Sequence, residues 1–414
     1  MVDGVRREGA DPDAVEPPRR KMSRLARKRA ERGQRRRHFA ARLALGLLIV
    51  VVVVAVVVGF TLWHTVFGSA DDYAGPGKQD IMIQVHAGDS TTAIGETLHD
   101  HGVVATVRAF VNAAHGVAGI SSIQPGFYRT RTDIPAASAV ARLVDPNNRV
   151  GKLVIPEGRQ LDDTTDMKTN MVNPGIFTLI SRATCVDLNG NRHCVAVQDL
   201  RAAAAKSSLV ALAVPPWAIE PANEVGGNHR RIEGLIAPGT FNVDPSASAE
   251  NILAGLIGAG AEEYTKSGLT DTAQSLHLSS YDILGVASLV QQEASPQDFP
   301  KVAQVIYNRL HIHQPLEFDS TVNYPLDRRE VATTDADRAQ RTPWNTYVTQ
   351  GLPATAICSP GVDALRAAAH PEPGDWLYFV TIDTQGTTLF TKDYQQHLAN
   401  IELAKHNGVL DSAR

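Results

Sequence analysis

The sequence is poor in cysteine, carries no internal repeat and runs without any charge over one long stretch. Three cysteines in 414 residues exclude a small scaffold held by many disulfides. Cys358 has no second cysteine close to it in sequence and no catalytic motif around it. A metal site is excluded for a similar reason. His311 and His313 form a His-x-His pair, yet no third ligand lies close in sequence, and His370 and His397 stand alone. No metal and no cofactor are expected.

What is present is a basic head on an acidic body. Residues 1–42 hold fourteen Lys or Arg against six Asp or Glu, a local charge of +8, and the remainder carries −12. Such asymmetry points to two compartments or to a nucleic-acid tail. The segment that follows decides between them. Leu43 to Trp63 is twenty-one residues without a charge, and a bilayer core needs about 20 apolar residues in helical form. The Arg-rich flank then places the N-terminus in the cytoplasm and everything after residue 64 outside. Contact with the lipid surface accounts for the basic run, so no nucleic-acid partner is expected.

Cys185 and Cys194 flank a segment centred on Asn189-Gly190. Asn-Gly is a strong two-residue hairpin signal, because both positions tolerate positive φ. Counting outward from the turn sets the two cysteines opposite each other, as a disulfide requires. The alternative is a pair of free thiols in a loop.

The chain divides into a basic tail (1–42), a membrane span (43–63), a Gly- and Pro-rich linker (64–80), a small domain (81–152), a connecting region (153–230) and a larger domain (231–410). The fold class is α+β. In the small domain a strand, "IMIQV", leads through a tight turn to a helix capped by Ser90, and a second helix precedes the strand "GFYRT". This order resembles the glycan-binding LysM pattern.

In the larger domain, "YDILGVASLVQQEAS" reads as a helix capped by Ser279 or Ser280, with Asp282 in its first turn. Ile283, Val286, Ala287, Val290 and Ala294 form its apolar stripe. Glu293 falls on the margin of that stripe, where lost solvation raises a carboxyl pKa and suits it to general acid work. A boundary glutamate paired with Arg309 is the structural alternative. Polar and aromatic residues crowd the segments after this helix, from Asn308 to Tyr324 and from Trp344 to Tyr347. A sugar ring, with hydroxyls on its rim and C–H faces, needs such a mixture. The polar stretch 327–341 reads as a surface loop.

Several ordered motifs, "GVASLVQQEA", "KVAQVIYNRL", "PLEFDSTVNY" and "TPWNTYVTQGLPATAICSPG", closely resemble the YceG-like endolytic murein transglycosylases. "RIEGLIAPGTF" and the "IPEG" junction fit the same layout, and the likeness extends over roughly residues 40–405. The resemblance implies lytic cleavage of nascent peptidoglycan between N-acetylmuramic acid and N-acetylglucosamine, leaving 1,6-anhydro ends. It implies Glu293 as acid and then base, with Glu233 the runner-up carboxylate. Asn308, Asp319, Asn345, Thr346 and Tyr347 are implied as substrate-positioning residues. The implied partners are glycan strands, cell-wall synthases and division or elongation proteins. Three positions depart from the pattern. Gln291 stands where the family often has a first glutamate, Gly239 replaces an aspartate, and Ser320 replaces a proline. A membrane-anchored, non-catalytic glycan-binding scaffold is the alternative function.

Overall fold

The computed structural model describes residues 46–59, 70–276, 278–329 and 333–409. Residues 1–42, expected as the basic tail, lie outside the described residues. Of the expected span, residues 46–59 are described and form a helix with exposed side chains. No helix among the described residues is long and apolar enough to cross a membrane. The chain separates into two units, residues 1–70 and 71–414.

The second unit begins with a three-stranded antiparallel sheet. β1 (Asp80–Val85) pairs with β2 (Gly126–Arg131), Asp80 opposite Arg131 and Val85 opposite Gly126. β3 (Arg149–Val150) extends the far edge of β2. Between β1 and β2 run α1 (Thr91–Asp100) and α2 (Val107–Ala114). Ser90 and Thr106 cap them by accepting from the N–H groups of Ala93 and Ala109, which satisfies donors the helices leave open. The helices pack closely because Gly95 has no side chain. A Cβ there would lie 3.1 Å from the Phe110 ring and 3.2 Å from Val107. α3 (Ala136–Val144) adds Val140 and Leu143 to a core with Ile83, Leu98 and Phe110.

Gly151 is the elbow between this sheet and the next ladder. Its φ is +72°, and a Cβ would sit 2.0 Å from the Val243 carbonyl oxygen, so only glycine fits. Beyond it β4 (Lys152–Ile155) pairs antiparallel with β9 (Gly239–Asn242). β5 (Thr164–Asp166) pairs with β6 (Val172–Asn173) and, in parallel, with β10 (Arg328–Arg329).

The cysteine hairpin consists of β7 (Val186–Leu188) and β8 (Asn191–His193), with Val186 opposite His193. Asn189 and Gly190 both have positive φ, as the turn demands. Cys185 and Cys194 are joined in a disulfide with their Cα atoms 4.2 Å apart. The turn docks on β1. The Asp80 N–H donates to Asn189 Oδ1 at 2.7 Å, and the Asn189 N–H returns a bond to the Asp80 carboxylate at 3.0 Å.

The helices of the larger part are α4 (Ile176–Ala183), α5 (Val197–Lys206), α6 (Pro216–Glu224), α7 (Ala249–Lys266), α8 (Leu269–Leu276), α9 (Ser280–Glu293) and α10 (Phe299–His311). The short α11 (Asp319–Asn323) and α12 (Asp335–Arg338) precede α13 (Val362–Ala369). A hairpin of β11 (Tyr378–Thr381) and β12 (Thr388–Thr391) closes the chain with α14 (Tyr394–His406). One hydrophobic core joins Leu161, Phe177 and Leu200 to Leu253, Leu289 and Ile357. Residues 153–230, expected as a connecting region, are thus built into the same core as the residues after 231.

α9 is the axis of that core, with α10 and α13 packed on it. Ser279 forms a capping box with Asp282. The expected apolar stripe is only part of what is buried. Leu284, Gly285, Ser288 and Leu289 are enclosed with Ile283, Val286, Ala287 and Val290. Ser288 is tolerated because its hydroxyl donates to the Gly285 carbonyl at 2.7 Å and accepts from the Ile357 N–H at 3.1 Å. After Asp282 in its first turn, the helix becomes partly accessible again at Gln291, Gln292 and Glu293.

Candidate active site

Glu293 is the last residue of α9, and the two glutamines before it fix that helix end. Gln291 Oε1 accepts from the Gly361 N–H at 2.8 Å, where α13 begins. Gln292 Nε2 donates to the Gly158 carbonyl at 2.9 Å, in the "IPEG" junction. Gly158 in turn donates its N–H to the Ser359 carbonyl at 2.8 Å. Both glutamines therefore face the scaffold.

The Glu293 side chain is half-buried. Loss of solvation pushes its carboxyl up to about 7. The Ser320 hydroxyl and backbone N–H oppose the rise, the Asp319 charge adds to it, and Arg309 opposes it weakly. No ion pair to Glu293 exists among the described residues. Arg309, the partner expected if Glu293 were merely structural, is turned to the backbone. It donates to the carbonyls of Leu377 at 2.7 Å and Leu316 at 2.6 Å and lies 3.7 Å from Glu317. The Ser320 departure thus falls beside the acid, whereas Gly239 lies opposite Ile155 in the β4–β9 ladder.

Asp319 opens α11 and is held by three residues. Its carboxylate accepts from Thr333 Oγ1 at 2.5 Å, from Tyr347 Oη at 2.8 Å and from Arg338 through Nε and Nη2, both at 3.2 Å. The Arg338 guanidinium also covers the Tyr347 ring at 5.0 Å. Burial and the charges of Asp319 and Glu293 raise the Tyr347 phenol well above its usual range, so it remains a donor.

The other expected substrate residues are engaged inside the fold. Asn345 and Thr346 are 1% and 0% exposed and present nothing to a ligand in this structure. Asn345 Nδ2 donates to the Arg338 and Gln340 carbonyls, and its Oδ1 accepts from the Tyr347 N–H at 2.9 Å. Thr346 Oγ1 accepts from the Phe318 N–H at 3.1 Å and shares a hydrogen bond with Thr321. Both amide hydrogens of Asn308 go to backbone carbonyls, those of Gly374 and Trp376. Asn345 and Thr346 thus tie down the backbone beside Tyr347 and Asp319, whereas Asn308 secures the segment at Gly374 and Trp376.

Glu233 is sealed. It is 1% exposed, and Oε2 accepts from the Leu161 N–H at 3.1 Å and from Tyr324 Oη at 2.8 Å. Burial pushes it up to about 8, with the two hydrogen bonds opposing. Beside it lies an ionic cluster. Asp162 takes Arg201 at 2.7 Å, His229 at 2.6 Å and Arg230 at 3.2 Å. Burial alone would raise Asp162, but His229, Arg201 and Arg230 outweigh it and hold the carboxyl down at about 2. Arg230 bridges onward to Asp327 and covers the Tyr324 ring at 5.0 Å.

The sequence reading missed Thr333 and Arg338, because a polar stretch looked like a solvated loop. A signal was present. Thr334 and Asp337 form a capping box that starts α12 and fixes the backbone carrying Arg338.

A profile of the YceG-like family matches residues 83–403. Among curated proteins, an endolytic murein transglycosylase of Bacillus subtilis is 26% identical over 329 residues, covering 77% of this chain and 83% of its own length. A protein of the same name from Streptococcus pneumoniae is 22% identical over 344 residues, covering 78% of this chain. This chain spans 58% of that longer relative. Among solved structures, a YceG-like protein of Listeria monocytogenes is 24% identical with a TM-score of 0.49, covering 78% of this chain and 99% of its own. With the profile matching more than three quarters of its length, this chain belongs to the YceG-like family.

Proposed function

We propose that this chain is an endolytic lytic transglycosylase in which Glu293 acts first as general acid and then as base. The carboxyl donates its proton to the glycosidic oxygen as the bond from muramic acid C1 breaks. The carboxylate so formed takes the proton from the muramic acid C6 hydroxyl, whose oxygen closes on C1. The products are a 1,6-anhydro end and a free hydroxyl on the departing sugar, and Glu293 is again protonated. Because the nucleophile belongs to the sugar, the paired carboxylates of water-using glycosidases are not required.

The observation that carries this reading is one partly accessible carboxyl with a perturbed pKa at the end of an enclosed helix. Perturbed acids of this kind cluster where proton transfer occurs. Names of the relatives supply the substrate class, peptidoglycan. Asp319 and Tyr347, beside the acid, are the groups proposed to meet the sugar. The strand–helix–helix–strand order of residues 80–131 agrees with a LysM-like glycan contact. The apolar run 43–63, with its basic flank, is proposed as a single membrane anchor with the enzyme outside. Cell-wall synthases and division or elongation proteins are its proposed neighbours.

The test is to incubate the full chain with lipid-linked, un-crosslinked glycan strands in heavy-oxygen water and weigh the new ends by mass spectrometry. Anhydro ends without heavy oxygen are expected. Ends that carry it would mark a hydrolase, and the absence of cleavage would favour the scaffold.

A further inference from the structure

The segment read from sequence as a solvated loop reaches into the candidate site. α12 is anchored at one side by Arg328, which pairs with Asp337 at 2.5 Å. On its other side Arg338 forks onto both oxygens of Asp319, while its own backbone carbonyl is gripped by Asn345 at 3.0 Å. Arg338 is thereby fixed at side chain and main chain alike. We propose that Arg338 is a positioning residue of this active site, holding the Asp319 carboxylate beside Glu293 and, by offsetting its charge, tuning the acid. The inference rests on the role proposed for Glu293, and neither Arg338 nor Thr333 touches the reacting atoms in it.

α11, which Asp319 opens, packs against α9, which Glu293 ends, and the charges on the two set the direction of the effect. Asp319 is the negative group whose charge favours a protonated Glu293. Arg338 neutralises part of that charge through two charge-assisted hydrogen bonds. Removing Arg338 leaves Asp319 more strongly negative and raises the Glu293 midpoint. Removing the Asp319 charge lowers it. The remaining groups acting on Glu293 are Ser320 and Arg309 from α10, which these substitutions leave in place, while the Tyr347 phenol loses a contact to Asp319 or Arg338 but stays neutral. Other charges on the elements packed against α9 are engaged elsewhere. Lys301 of α10 sits over Trp376 and Phe390, and Arg366 of α13 pairs with Asp363 at 2.9 Å. Glu224 of α6 acts on Tyr281 at the opposite end of the helix, near which α8 carries Asp271. Charge tuning of this kind moves a midpoint, which the titration of Glu293 reads apart from any loss of sugar contact in Asp319→Asn.

The experiment follows the Glu293 carboxyl by isotope-labelled NMR titration in the full chain, alongside the pH–rate profile of anhydro-end formation. Arg338→Gln is expected to raise the midpoint and the alkaline limb by about half a unit, and Asp319→Asn to lower them by a similar amount. The double variant is expected to match Asp319→Asn alone, because Arg338 acts through Asp319. Arg338→Lys keeps the charge but loses the fork, so its midpoint should lie between wild type and Arg338→Gln. Should Arg338→Gln fail to fold, the lysine variant carries the test, and an unmoved midpoint there overturns the inference. An equal shift with and without Asp319 overturns it too. Loss of activity in Glu293→Gln together with an unmoved Arg338 titration removes only this inference. Full activity in Glu293→Gln removes the proposed function, whatever the titration shows.

Discussion

Replacing Glu233 by glutamine should stabilise this protein at neutral pH, although it removes a buried group that makes two hydrogen bonds. Folding carries Glu233 from water to a site with 1% exposure, where Oε1 has no hydrogen-bond partner. Its carboxyl shifts from an ordinary 4.5 to about 8. The sign follows from proton linkage. Below pH 4.5 the group is protonated in both states and adds no penalty. Between 4.5 and 8 the folded protein holds a proton that the unfolded chain has lost, so stability falls as pH rises. Above about 8 the penalty is constant. At pH 7 it amounts to about 3 kcal/mol, at roughly 1.4 kcal/mol for each pKa unit. Glutamine is neutral and of the same shape, and its carbonyl can still accept from Leu161 and Tyr324. Its NH₂ faces the side where Oε1 lacks a partner, an offset of about 1–2 kcal/mol that does not vary with pH. The measurement is urea unfolding of wild type and Glu233→Gln between about pH 4 and pH 7, followed by tryptophan fluorescence. The stability difference should move in favour of the variant by about 3 kcal/mol across that range. Parallel pH–stability curves would show that Glu233 titrates normally and is not sealed as described.

Asp162 titrates in the opposite sense. Its folded pKa of about 2 lies below its ordinary 3.8, so its stabilisation is present above 3.8 and lost as pH falls through about 2. Asp162→Asn should therefore lower unfolding stability by at least about 2 kcal/mol at neutral pH, with the gap to wild type closing in acid. The ten-residue loop closed by Cys185 and Cys194 predicts a loss of about 2–3 kcal/mol on Cys185→Ser with Cys194→Ser. An unchanged melting temperature would mean that the Asn189 turn and its Asp80 contacts suffice. Gln291→Glu keeps an acceptor for the Gly361 N–H, but a Cβ at Gly361 would already lie 2.2 Å from the Glu157 carboxyl carbon, so it sets a second carboxylate near the first. Anhydro-end formation should stay within about threefold, roughly 0.6 kcal/mol of barrier. A gain of an order of magnitude would assign the acid to position 291 instead.

Features set by neighbouring residues were legible in the sequence. Asn189-Gly190 fixed the register that brings Cys185 and Cys194 together, and Ser90, Ser279 and Asp282 marked helix starts through their capping chemistry. Features set by distant chain were not. Periodicity supplied α9 with one apolar face, because enclosure by α10 and α13 depends on residues that follow it. Asn345 and Thr346 have the composition of a sugar cleft, yet the same polar atoms serve equally well to tie buried backbone together. Arg338 was hidden by its polar neighbours, since its partner Asp319 lies 19 positions earlier. Glu293 stood out in the sequence because a carboxyl at the end of an apolar helix is unusual in any packing, and its role as the acid is what the Glu293→Gln variant tests.

The central claim is that Glu293 moves the proton, and Glu293→Gln tests it most directly. The glutamine variant of the full chain, given un-crosslinked glycan strands, should form anhydro-muramic ends on the order of 10²–10⁴ times more slowly than wild type. The wild-type rate should fall as pH rises through about 7, where the acid loses its proton. A glutamine variant that cleaves at the wild-type rate would contradict the account.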